Sequence, residues 1–194
     1  GVIYSYKDPK SYTENNVRAS KILMECIKKY KIKNFIFASS SSVYGNINQF
    51  PYKENLLNLK PKSFYAATKL MNEYMAKTYS SIFQLPCTSI RFFTVYGPYG
   101  RPDMSLFKFV SSIKKNQEIE LFNNGNHERD FTYIDDAVNY LIKIINKSPK
   151  SKAPFQIFNI GSGKPITLKK YIDIIQDELG IKANIKYVNI QKGD

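Results

Sequence analysis

The sequence predicts an α/β protein: a parallel sheet flanked by helices, followed by a smaller α/β domain. Three features of the 194 residues carry this reading. Helical and strand patterns alternate along the whole chain, as they do in βαβ units. The first helical stripe and the first strand are only a few residues apart, the usual length of an αβ connection. A Gly/Pro-rich turn, Tyr96-Gly97-Pro98-Tyr99-Gly100-Arg101-Pro102, interrupts the alternation and divides the chain into 1–98 and 99–194.

Each element has a local reason. Asp8-Pro9 opens a helix with a capping residue and a proline tolerated in the first turn. Val17, Ala19, Ile22, Leu23, Cys26 and Ile27 then recur at helical spacing. A strand over 34–38 follows, then a polar loop over 46–62 containing Pro51 and Pro61. A helix over 64–82 is expected to bury Leu70, Met71, Tyr74 and Met75, and a strand spans 87–93. Beyond the turn the pattern gives a helix over 104–116, a strand over 118–122, an Asn/Gly turn over 123–126 and a strand over 129–134. A helix over 135–147 reads as capped by Asp135. A strand over 155–160, Gly161-Ser162-Gly163, a helix from Leu168 capped by Thr167 and stopped by Gly180, and a strand over 184–189 complete the chain.

Composition narrows the class. Hydrophobic content of 43% and aromatic content of 14% fit a folded globular chain. No apolar run is long enough to cross a bilayer and no signal peptide opens the sequence. Cys26 and Cys87 form no CxxC and read as buried thiols in a reducing compartment, which places the protein in the cytoplasm. The net charge of +13 invites a nucleic-acid reading. However, 25 of the 29 basic residues are Lys, scattered through every segment, whereas base and phosphate readers favour clustered Arg. The reading is therefore no nucleic acid and no membrane, with salt-dependent DNA retention as the check on the first. One His and no acidic cluster give no metal site.

Two blocks carry chemistry. The first, Asn34-Phe35-Ile36-Phe37-Ala38-Ser39-Ser40-Ser41-Ser42-Val43-Tyr44-Gly45, is a strand that ends in hydroxyls; the second is Tyr65-Ala66-Ala67-Thr68-Lys69. Spacing alone decides nothing, because about two Tyr-x-x-x-Lys pairs are expected by chance in this composition. Both are present, Tyr6/Lys10 and Tyr65/Lys69. The first straddles Asp8-Pro9, whereas the second opens a strong helix, where i and i+4 side chains are neighbours. A phenol serves as a base only where positive charge stabilises its phenolate, and a serine hydroxyl can both donate to and accept from a reacting oxygen. Ser, Tyr and Lys together suit removal of a proton from an alcohol while hydride leaves its carbon.

The two blocks resemble those of the extended short-chain dehydrogenase/reductase family. The resemblance continues in order through Arg91-Phe92-Phe93-Thr94-Val95-Tyr96-Gly97-Pro98, Arg129-Asp130-Phe131-Thr132-Tyr133-Ile134-Asp135-Asp136 and Asn159-Ile160-Gly161-Ser162-Gly163. It is strongest toward the UDP-glucuronate 4-epimerases, through Thr94 to Met104. The resemblance implies the later part of a Rossmann-like NAD-binding domain over 1–98 and a nucleotide-sugar domain over 99–194. It implies NAD as cofactor, a UDP-sugar as substrate and a homodimer. Position by position, Ser40 is implied at the reacting oxygen, Tyr65 as the base, and Lys69 at the nicotinamide ribose and the phenolate. Ser41 and Ser42 stand where sugar-nucleotide 4,6-dehydratases of the family carry an acidic pair, which implies epimerisation rather than elimination. Arg129 is implied at the diphosphate and Phe122 beside uracil. Thr94, Arg101 and the serines at 40–42 are implied around a sugar carboxylate.

The chain departs from the glucuronate pattern at Ile3, where an Arg is usual, and at Lys192, which replaces Pro in Gln191-Lys192-Gly193-Asp194. A UDP-galactose-type 4-epimerase is the alternative within the class. Doubly wound dinucleotide folds place a glycine-rich phosphate loop after their first strand, and no such segment precedes the first helix here. The chain reads as an internal piece of a longer protein. Alone it is expected to be a non-catalytic fragment, an expectation that turnover by the isolated 194 residues would refute.

Overall fold

The computed structural model describes residues 1–47 and 49–189. The first half contains helices α1 (Val2–Lys7), α2 (Pro9–Tyr12), α3 (Ala19–Ile27) and α4 (Phe64–Phe83), with strands β1 (Phe35–Ser40) and β2 (Cys87–Phe92). The second half contains β3 (Thr94–Tyr96), α5 (Ser105–Lys114), β4 (Ile119–Phe122), β5 (Glu128–Arg129), β6 (Phe131–Tyr133) and α6 (Ile134–Ile145). It continues with β7 (Phe155–Ile160), β8 (Ile166–Thr167), α7 (Leu168–Leu179) and β9 (Ile185–Val188). A π-helical turn, Thr13–Arg18, joins α2 to α3.

The chain forms two compact units that are discontinuous in sequence. The first comprises Gly1–Phe93 and Val138–Ile160, the second Thr94–Ala137 and the residues from Gly161 onward. The contiguous division at residue 98 differs from this one. The chain leaves the first unit after Phe93 and returns within α6 to place β7 beside β2.

In the first unit β1, β2 and β7 form a parallel sheet in that order, with Phe35 opposite Cys87 and Cys87 opposite Phe155. Parallel neighbours need a crossover, and α4 supplies the one between β1 and β2. The core gathers Met24, Ala76, Leu85 and Cys87, with Ile27, Phe35, Phe37 and Phe155 against them. The side of α4 that is buried is mostly polar: Ala66, Thr68, Asn72, Glu73, Ala76 and Ser80. Met71 and Tyr74, expected inside, are 49% and 61% exposed. Central strand β2 explains the inversion. It brings Ser89 and Arg91 under α4, and both bond to Glu73, so the helix turns its polar side inward. The predicted stripe fares likewise: Ala19, Ile22, Leu23 and Cys26 are exposed, Val17 and Ile27 are half-buried, and the buried residue of α3 is Met24, which lies off the stripe. Cys26 is exposed, contrary to the expected buried thiol; Cys87 is buried and its thiol is pushed up to about 12 by that burial.

In the second unit β3 pairs with β6 and β4 with β9, both parallel, and β5 pairs with β8 antiparallel. Its core joins Ile113, Ile119, Leu121, Tyr171, Ile172 and Ile175, with Phe131 stacked on Tyr171 at 3.9 Å between ring centroids. Thr167 caps α7 by accepting from the Lys170 N–H, and Gly180 ends it at φ 65°. Asp135 is not a cap. Strand β6 runs directly into α6, and Asp135 and Asp136 lie in the first helical turn, where they favour the positive end of the helix dipole. The strand expected over 129–134 is broken at Asp130. The segment Gln191–Asp194, with its Lys192 departure, lies outside the described residues.

Candidate active site

Strand β1 delivers the hydroxyl run because Ser40 both ends the strand and caps the 3₁₀ turn Ser41–Tyr44. Ser40 Oγ accepts from the Ser42 N–H at 3.2 Å and donates to Ser42 Oγ at 3.1 Å. Ser40 is 8% exposed, and Ser41 and Ser42 are half-buried. Gly45 closes the turn at φ 59°; a Cβ there would lie 1.6 Å from the Lys60 carbonyl oxygen, so only glycine lets the two backbones meet.

Helix α4 supplies the second block. Ser63 caps it by accepting from the Ala66 N–H at 3.1 Å. One turn of helix brings Lys69 Nζ to 5.8 Å from the Tyr65 ring centroid, within cation–π reach. Lys69 Nζ also donates to the Ala38 carbonyl at 2.9 Å, which ties the lysine to β1 just before the serines. Tyr6 and Lys10, the other pair, fall on different helices, α1 and α2.

An NAD ribose fits what Lys69 offers. An ammonium has three donors; one serves Ala38, and the other two remain for ribose hydroxyls. Burial holds the Lys69 pKa below its ordinary 10.5. The unfolded chain therefore keeps this proton over a window just below 10.5 in which the folded chain has released it, so stability rises with pH there. Denaturant titrations at stepped pH should show that rise in the parent and its loss in Lys69→Met; equal slopes would contradict a desolvated, half-buried ammonium.

Beneath the hydroxyl turn lies a polar network that sequence reasoning missed. Arg91, 2% exposed, donates to Glu73 through Nε at 3.0 Å and Nη2 at 2.7 Å, and sits 4.8 Å from the Tyr44 ring centroid. Burial alone would lower the guanidinium pKa, but the hydrogen bond and charge of Glu73 outweigh it and hold Arg91 above its ordinary value. Tyr44 Oη donates to Asn159 Oδ1 at 2.8 Å, and its ring stacks on Tyr52 at 4.4 Å. Glu73 stands one helical turn beyond Lys69. That spacing was the available signal, though no pattern of hydropathy names its partner.

In the second unit, Thr94 and Arg101 line one small cavity of about 30 Å³ with Tyr96, Phe107 and Tyr171. Phe122, half-buried at the end of β4, and Arg129 lie outside that lining. Arg101 is exposed and paired with Asp103 through both Nε and Nη2. Arg129 is exposed on β5, its Nη1 donating to the Glu128 carbonyl at 3.0 Å. Its neighbour Asp130 explains the broken strand. The Asp130 carboxylate accepts from the Ser162 and Gly163 N–H groups, both at 2.7 Å, and its carbonyl accepts from Thr94 N–H at 3.1 Å. Among the described residues, no helix is long and apolar enough to cross a membrane, and no group of three His, Cys, Asp or Glu side chains could hold a metal ion.

A parallel β1–β2–β7 sheet crossed by α4, with hydroxyls at the end of its edge strand, makes the protein a Rossmann-type α/β protein. Comparison with known proteins narrows that class. The chain belongs to the NAD dependent epimerase/dehydratase family, whose model matches residues 1–161. "Protein CapI" of Staphylococcus aureus is 42% identical over all of this chain and 62% of its own length. A "Probable UDP-glucuronate 4-epimerase" of Rhizobium meliloti is 37% identical over all of this chain and 61% of its own. Among solved structures, UDP-glucuronic acid 4-epimerase from Bacillus cereus, in complex with UDP-glucuronic acid and NAD, superposes with a TM-score of 0.92. It is 32% identical, with 100% of this chain and 61% of that one covered. The chain thus spans about three-fifths of the length of these relatives.

Proposed function

We propose that the enzyme carrying this chain inverts C4 of a UDP-sugar through a transient 4-keto intermediate, with UDP-glucuronate to UDP-galacturonate as its reaction. The observation that carries the reading is Tyr65 at the head of α4. Its hydroxyl makes no hydrogen bond among the described residues, Lys69 stands beside it, and serines rather than carboxylates occupy positions 41 and 42.

In this reading Ser40 holds the sugar O4 and Tyr65 takes its proton as phenolate. Lys69 stabilises that phenolate and binds the nicotinamide ribose. NAD, when bound, supplies the acceptor and then the donor of hydride at C4. Without an acid and base at 41 and 42, loss of a C6 hydroxyl has no catalyst, so the keto sugar turns over and is reduced on its other face. Arg129 is assigned to the diphosphate as a forked donor, and Phe122 to the uracil. Thr94, Arg101, Ser41 and Ser42 are assigned to the sugar carboxylate. Arg101 can exchange Asp103 for that carboxylate at little cost, because an exposed ion pair contributes little.

Ile3 favours a second reading, a UDP-galactose-type 4-epimerase, because it puts a neutral side chain where the uronate enzymes usually carry Arg. We also infer a homodimer through α3 and α4, whose Ile22, Leu23, Met71, Tyr74 and Ile82 leave an apolar face in solvent. One experiment serves all three. The complete enzyme is sized by sedimentation and assayed with NAD on UDP-glucuronate, UDP-galacturonate, UDP-glucose and UDP-galactose, following C4 inversion by NMR. The uronates should exceed the neutral sugars by roughly 100-fold. Equal turnover would defeat the carboxylate role of Arg101, no turnover would defeat the epimerase reading, and a monomer would defeat the dimer.

A further inference from the structure

We propose that Ser5 is a positioning residue for Tyr65, holding the first turn of α4 so that the phenol meets its substrate oxygen; this rests on the reading of Tyr65 as the proton-transfer group. Helix α1 is mostly solvated, with Ile3, Tyr4 and Tyr6 each more than half exposed, yet Ser5 is 0% exposed. Its hydroxyl donates to the Val2 carbonyl at 2.6 Å and accepts from the Tyr65 N–H at 3.1 Å.

The first four N–H groups of a helix have no partner within it. In α4 the local sequence satisfies two of the first turn's amides: Ser63 Oγ takes the Ala66 N–H, and the Ser63 carbonyl takes that of Ala67 at 2.9 Å. Of the remaining two, Phe64 and Tyr65, it is the amide of Tyr65 that a residue sixty positions earlier accepts. A serine hydroxyl has a single proton, and here Val2 takes it, so a lone pair is left to face Tyr65. Two further contacts from the same N-terminal segment fall at the start of α4, one on Tyr65 and one on the residue before the cap. The Tyr12 ring meets the Tyr65 ring edge-on, centroids 6.0 Å apart, and Tyr6 Oη donates to the Lys62 carbonyl at 3.2 Å.

A helical side chain leaves its backbone in a direction set by the turn that bears it. Anchoring the Tyr65 amide therefore sets where the phenol stands relative to Lys69 and Ser40. Reacting groups misplaced by about 1 Å lose on the order of 100-fold in rate. Ser5 touches neither substrate nor cofactor in this scheme; it acts through the backbone of Tyr65.

The test compares Ser5→Ala with Ser80→Ala in the complete enzyme. Ser80 is also 0% exposed and bonds the Leu85 carbonyl at 2.8 Å at the far end of the same helix, so its loss is structural only. Ser5→Ala should speed amide hydrogen exchange at Tyr65 about 10-fold or more and lower kcat roughly 10- to 100-fold, with KM within about twofold. Ser5→Cys, of similar size but a weaker acceptor, should fall between. Ser80→Ala should lower the thermal midpoint and leave kcat unchanged. Unchanged Tyr65 exchange in Ser5→Ala, an unchanged kcat, or equal losses of kcat in the Ser5 and Ser80 variants would overturn the proposal. If the parent enzyme turns over no UDP-sugar, the functional reading fails separately. Ser5 is then judged on exchange and on the ultraviolet titration of the Tyr65 phenol, taken as parent minus Tyr65→Phe; either one unmoved in Ser5→Ala overturns it.

Discussion

Tyr65→Phe is expected to lower kcat for C4 inversion roughly 100- to 10,000-fold while leaving UDP-sugar binding within about threefold. The substitution removes one oxygen and keeps the ring, so the edge-on contact with Tyr12 and the bond from the Tyr65 N–H to Ser5 both persist. Nothing in the fold depends on the hydroxyl, which makes no hydrogen bond among the described residues. A loss of rate therefore reports chemistry. Lys69 keeps its bond to the Ala38 carbonyl, so its place beside β1 is also preserved. Single-turnover reduction of bound NAD by UDP-glucuronate would show the defect directly, and isothermal titration would show binding retained. A variant that keeps more than about a tenth of the parent kcat would remove Tyr65 as the base, since general acid–base groups contribute at least 100-fold.

The sheet and the hydroxyl turn at its edge are legible because they depend on local pattern. Strands ending at Ser40, Phe92 and Ile160 follow from short apolar runs between turn signals, and α7 follows from Thr167 and Gly180. The Ser40 turn and the Tyr65/Lys69 helix were legible for the same reason, and structure places Lys69 on β1 beside the serines. What escaped notice depends on partners distant in sequence. The inward side of α4 is not legible because Asn72 and Glu73 look solvated unless Arg91 and Ser89 lie beneath them. Asp130 interrupts a strand-like run because its carboxylate answers two amides thirty residues later. Ser5 sits in a stretch with neither periodicity nor cap, and its role exists only once α4 is folded against it. Hydropathy records whether a residue tolerates burial, whereas these residues are buried because something specific meets them.

The buried pair carries the largest expected effect on stability. Glu73→Gln should destabilise the protein by about 3–5 kcal/mol, because it leaves the Arg91 guanidinium inside without its counter-charge. Both side chains are within 5% of full burial, so solvent screens the loss little. The amide is close to isosteric, which excludes a cavity as the cause. Arg91→Met should cost a similar amount by stranding the carboxylate, which also receives the Ser89 hydroxyl at 3.2 Å. Replacing both by Met should cost less than either alone, since neither charge is then left unpaired. The consequence extends to the site. Arg91 lies against the Tyr44 ring and reaches toward the Glu54 carbonyl at 3.5 Å, and Glu54 in turn accepts from the Asn159 N–H at 2.8 Å. The Ser41–Tyr44 turn and the loop behind it thus both lean on this guanidinium, so Glu73→Gln should also lower kcat at temperatures where the protein remains folded. Urea unfolding of the three variants and the parent gives the cycle. A Glu73→Gln cost below about 1 kcal/mol, or a double variant costing the sum of the singles, would mean that the pair does not hold the turn.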